Sequence, residues 1–175
     1  EFWNMLVNEE KVFRTAQPAP KELVNTYNML FRRGYKKILI IPLSSKLSGT
    51  QQVMKLAREM IKRENDIIIY DSKAISIQLG YMVIQAAKLV KKGYGIEEIK
   101  EYLDKFIERS KLYIVVNSLK YLQRGGRISK TAQTIGDFLN LKPVISISDG
   151  ALFVEKKVLG GDAAVNKYIE RCINE

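Results

Sequence analysis

Three short β-branched runs separated by helix-periodic stretches constrain this chain more than any other feature. Lys37–Ile41, Asp66–Tyr70 and Leu112–Val116 are each one strand long. Between them, apolar residues recur at helical spacing. From Pro20 to Arg33 the stripe is Leu23, Val24, Tyr27, Leu30 and Phe31, stopped at Gly34. Residues 48–63 carry Val53, Leu56, Ala57, Met60 and Ile61 on one face, and Ser48 and Gln51 stand in the spacing of a capping box. Residues 76–92 are apolar on most sides, which predicts a well-buried helix, and Ile96, Ile99, Leu103, Phe106 and Ile107 mark an amphipathic one. Strands joined through helices imply crossovers, and hence a parallel sheet with helices on its faces.

After Val116 the texture changes. Leu119–Gln123 and about 130–139 read as short helices. Val144–Ile147 and Leu152–Val154, joined across Asp149-Gly150, read as a hairpin. The fold class expected is therefore α/β: a parallel sheet flanked by helices, followed by part of a second, smaller α+β domain. The division expected is 1–117 and 118–175.

At 175 residues the chain can bury one good core, or two small ones in contact. Histidine is absent, which removes a histidine-based triad and most zinc sites. A single cysteine, Cys172, cannot close an intrachain disulfide, in keeping with a reducing, cytoplasmic setting. No run of apolar residues is long enough to span a bilayer. The net charge of +10, from 29 basic against 19 acidic residues, favours anionic partners, including transient contact with a membrane surface. Its lysines and arginines sit in small groups at helix ends and turns, without the clustered basic and aromatic pattern of a nucleic-acid module. No nucleic-acid partner is expected.

In an open parallel sheet, ligands bind beyond the carboxyl ends of the strands. The first strand runs into Ser44-Ser45-Lys46-Leu47-Ser48-Gly49-Thr50, four hydroxyls in seven residues ahead of a helix. The second ends at Asp71-Ser72 and the third at Asn117-Ser118. Small donors and a helix start facing one region suit an anionic head. The same residues also fit a plainer account, in which Ser48 and Thr50 cap the helix and Ser44 makes a turn. Gly125-Gly126-Arg127 is a second candidate, because a guanidinium on a flexible backbone can grip a carboxylate or phosphate. Its plainer account is a helix end with an exposed arginine. Asp71 alone, with no acid or base partner, makes a poor catalytic set.

Thr15-Ala16-Gln17-Pro18, Ser44–Thr50, Asp71-Ser72, Tyr121–Ile128 and Leu139–Pro143 resemble, in order and spacing, the DegV family. The resemblance implies a non-catalytic α/β protein with a long-chain fatty acid between two domains, no cofactor or metal, and a bacterial source. It also implies a separate fatty acid kinase subunit as partner, which phosphorylates the acyl carboxylate. Carried over by motif position, Thr15 and Ser45 would hold the carboxylate. Arg127 and Gly126 would lie near the head, and Ser44, Ser48, Gly49, Thr50, Asp71 and Ser72 would support it. Two positions depart from the family pattern: Ala16, where serine is usual, and Leu159, where an arginine associated with kinase docking is usual. Relative to the family, the chain is expected to lack segments at both ends. The competing reading is a phosphate- or nucleotide-binding α/β enzyme that cradles a phosphoryl group in the Ser44–Thr50 loop. It would need a metal-binding carboxylate pair, and only Asp71 is placed for one.

Overall fold

A computed structural model of the chain describes residues 4–6, 13–128 and 141–174. Helix α1 (Pro20–Arg32) begins on a proline already set for helical φ, and Glu22 Oε2 accepts the Ala19 amide at 3.2 Å. Strand β1 (Ile38–Ile40), helix α2 (Thr50–Met60) and strand β2 (Ile67–Ile69) follow. The two strands pair in parallel, Ile38 opposite Ile67 and Ile40 opposite Ile69. Alternation along β1 separates two cores. Ile38 and Ile40 face α1 and α2 with Tyr27, Ala57 and Ile67. Leu39 and Ile41 face Ala74, Met82, Ala86, Ile99 and Leu103 on the other side. The second core is built by helices α3 (Ser76–Lys91) and α4 (Ile96–Arg109).

Strand β3 (Ile114–Val115) departs from the sequence expectation. It pairs antiparallel with β4 (Leu141–Ser148), which pairs antiparallel with β5 (Ala151–Leu159). Its partner is supplied by the strand that follows it, in a sheet separate from β1 and β2, and not by the strands before it. A short apolar run states neither its partner nor its direction. The hairpin forms as the sequence predicts: Ser148 faces Ala151, and Asp149 and Gly150 both take positive φ, 43° and 80°, as a type I′ turn requires. Ile145 packs with Leu119 and Ile128 on one face of this sheet. Val144 and Val158 pack with Val165 of helix α5 (Gly161–Asn174) on the other.

Helix α3 is not buried on most sides. Gln78, Met82 and Ala86 are its buried residues, while Tyr81, Val83, Ile84 and Val90 are exposed and Ile77 is 77% exposed. Leu39, Ile41 and helix α4 cover its buried stripe, and Tyr81 leans on Phe106 at a ring separation of 5.0 Å. Among the described residues no helix is long and apolar enough to cross a membrane. The helix expected at about 130–139 and the Leu139-Asn140 pair lie outside the described residues.

Candidate functional site

The loop after β1 folds back on itself through its hydroxyls. Ser44 is fully buried; its Oγ donates to the Gly150 carbonyl at 2.7 Å and accepts the Lys46 amide at 3.2 Å. It therefore fastens the hairpin tip to the end of β1 and presents nothing to a ligand. Ser45 turns the other way. Its amide donates to Asp71 Oδ1 at 3.1 Å and its hydroxyl to Asp71 Oδ2. Asp71 Oδ1 also accepts the Lys73 amide at 3.2 Å. Ser72 is buried and caps its own turn, with Oγ accepting the Ala74 amide at 3.1 Å.

The expected capping box is absent. Helix α2 starts at Thr50 behind Gly49, and Ser48 Oγ accepts the Thr50 amide at 3.2 Å and meets Thr50 Oγ1 at 2.8 Å. Gln51 is buried instead of reaching back. A Cβ on Gly49 would come within 2.1 Å of Gln17 Nε2, the far end of that flexible side chain, so Gln17 lies against the hydroxyl loop.

Gly125-Gly126-Arg127 ends a one-turn helix, Lys120–Arg124. Gly126 takes φ +71°, the Gly126 amide donates to the Gln123 carbonyl at 3.1 Å, and the Arg127 amide donates to the Leu122 carbonyl at 2.9 Å. This is the glycine-terminated end that a left-handed residue makes possible. Arg127 then spans to the hydroxyl loop, with Nε donating to the Leu47 carbonyl at 3.2 Å and Nη1 to the Gly125 carbonyl. The guanidinium is a strut between two loops before it is anything else.

A cavity of about 590 Å³ opens where these pieces meet, lined by Phe13, Thr15, Tyr121, Arg124, Gly126 and Arg127 among others. That size is within the range of small-molecule sites. Thr15, Gly126 and Arg127 are brought together there. Ser45 and Asp71 form a separate hydrogen-bonded pair at the strand ends, and Ser44 and Ser72 point into protein. Asn117 and Ser118 do not join them, because β3 lies in the other sheet. Asn117 Oδ1 accepts from Lys142 Nζ at 2.6 Å, and Ser118 Oγ accepts the Lys120 amide.

Two features escaped the sequence reading. Phe13, Tyr121 and Arg124 line the cavity, and the spacing of Tyr121 and Arg124 ahead of the double glycine was the only signal for them. The strand ends also carry cations rather than neutral donors alone. Lys46 and Lys73 reach Asp149 of the hairpin tip at 2.6 and 2.8 Å. Hydrogen bonds from these two ammonium groups hold the Asp149 carboxyl down at about 2, and the same contact raises Lys73.

The family model matching residues 1–175 is that of the DegV family, described as an uncharacterised protein. A DegV domain-containing protein of Clostridium acetobutylicum is 34% identical over 171 residues, covering 97% of this chain and 60% of the relative. Among solved structures, a DegV lipid-binding protein of Thermotoga maritima matches with a TM-score of 0.83 and 26% identity, over 99% of this chain and 60% of its own. A fatty-acid-binding DegV family protein of Thermus thermophilus matches with a TM-score of 0.83 and 28% identity, over 97% and 60%. The chain spans about 60% of the length of these relatives.

Proposed function

The chain belongs to the DegV family, and from that premise we propose that the protein holds a long-chain fatty acid without transforming it, with the acid's head at Thr15 and Ser45. The observation that carries this reading is the cavity that joins Thr15 to Gly126 and Arg127 beside the hydroxyl loop. Two structural neighbours described as lipid- or fatty-acid-binding support it. Thr15 offers a hydroxyl from the cavity wall, and Ser45 offers one from the loop that Arg127 braces. The acyl chain supplies most of the affinity. Each buried methylene contributes roughly 0.8 kcal/mol, so a tail of about 14 contributes on the order of 11 kcal/mol before ordering costs. The head needs only orientation.

Catalysis is disfavoured by the same geometry, because Asp71 already accepts three hydrogen bonds and, among the described residues, no acidic cluster could hold a metal. In this reading the bound acid is handed to a separate kinase subunit, which phosphorylates its carboxylate. The test is native mass spectrometry of the purified protein before and after organic extraction. A fatty acid should be released from the wild type, and Thr15→Val should retain several-fold less. Equal retention in Thr15→Val and Ser45→Ala would remove the assigned head site. With a fatty acid kinase catalytic subunit and ATP, the bound acid should become acyl phosphate; failure to turn over would confine the protein to carriage.

A further inference from the structure

The proposed head site contains a carboxylate of its own, and its hydrogen bonds have a direction. Asp71 takes the Ser45 hydroxyl proton on Oδ2, and on Oδ1 it takes the Ser45 and Lys73 amides. The ammonium groups of Lys46 and Lys73 are paired with Asp149. Asp104 of α4 is turned to Tyr70, whose hydroxyl it accepts at 2.7 Å. All three hydrogen bonds to Asp71 thus come from neutral donors, and Ser45 Oγ, its proton given to Asp71, is left with lone pairs to accept. A carboxylate arriving there would meet those lone pairs and, just behind them, a second negative charge, which disfavours the ionised form.

We propose that Asp71 is a specificity-determining residue: by holding the Ser45 proton it makes Ser45 an acceptor, so the site selects a head that donates a hydrogen bond, the protonated acid over its anion. This rests on the reading that Ser45 meets the head. The ligand class is a long alkyl chain ending in a protonated acid or another hydroxyl.

The experiment compares three ligands of one chain length at about pH 8, where an ordinary carboxylic acid, with a pKa of about 4.3, is ionised. Tetradecanoic acid, tetradecanol and methyl tetradecanoate are titrated against a fluorescent fatty acid bound to the wild type, Asp71→Asn and Asp71→Asn/Ser45→Ala. The wild type should hold the alcohol at least as tightly as the ionised acid, and the ester, which cannot donate, least. Asparagine keeps an oxygen for the two amides while its NH₂ donates to Ser45 Oγ and frees the serine proton. Asp71→Asn should therefore bind the acid about tenfold more tightly, or ~1.4 kcal/mol. That gain should vanish in the double variant. Weaker acid binding in Asp71→Asn, a gain that survives without Ser45, or an ester that matches the alcohol in the wild type would each overturn the proposal. The wild-type ranking needs no variant to fold. If the wild type binds none of the three, the fatty-acid reading fails instead.

Discussion

Gly150→Ala should loosen the contact between the two sheets, and the structure gives the size of the effect. Gly150 sits at φ +80°, and a Cβ built there would lie 2.4 Å from Ser44 Oγ. An L-residue in the left-handed region costs about 1–2 kcal/mol. The serine must also swing away, giving up a buried hydrogen bond to the Gly150 carbonyl worth about 1 kcal/mol. Ser44 is fully buried, so its freed hydroxyl finds no water. The total is about 2–3 kcal/mol, a large share of the ~5–15 kcal/mol that holds a domain together. Urea unfolding of the wild type, Gly150→Ala, Ser44→Ala and the double variant measures it. Without Oγ the clash disappears, so the double variant should lose at least ~1 kcal/mol less than the two single losses combined. Additivity within about 0.5 kcal/mol would refute the clash, and a neutral Gly150→Ala would refute the docking itself.

The ion pairs at the same turn predict an acid limb. The folded Asp149 carboxyl lies at about 2, below its ordinary 3.8, so its contribution is complete above 3.8 and is lost as pH falls through about 2. Asp149→Asn should flatten the pH dependence of stability in that window, and an unchanged profile would show that the lysines act without it. Tyr27 is buried, its hydroxyl has no partner among the described residues, and burial raises its pKa. Tyr27→Phe should therefore raise unfolding stability by about 1 kcal/mol, and a loss would reveal a partner for the hydroxyl.

Features set by near neighbours were legible in the sequence. Asp149-Gly150 announced its turn because few residue pairs tolerate two positive φ values in succession. Ile38, Leu39, Ile40 and Ile41 announced a strand, and their alternation divides them between two cores. What the chain does far from itself was hidden. Leu112–Val116 reads as one more parallel strand, but its partner is β4 in the other sheet, with Ile114 opposite Ile145. Residues 76–92 read as buried because apolar composition reports hydrophobicity and not the presence of a cover. Ser44 meets Gly150 across 106 positions, and no local pattern joins them.

The head site divides along the same line. Residue type marked Ser45 and Asp71 as polar groups at neighbouring strand ends, and the fold brings them into contact. Type cannot say which of a serine's three hydrogen-bonding positions is used, because a hydroxyl donates once and accepts twice. Here the donating position is taken by Asp71. The sequence motif suggests a set of donors waiting for an anion, yet at Ser45 the structure leaves acceptors. The chemistry of the site thus turns on the direction of a single hydrogen bond. If Ser45 gave its proton outward, an ionised acid would be welcome there and Asp71→Asn would change little. Because Ser45 gives it inward, removing one negative charge should open the site to the anion.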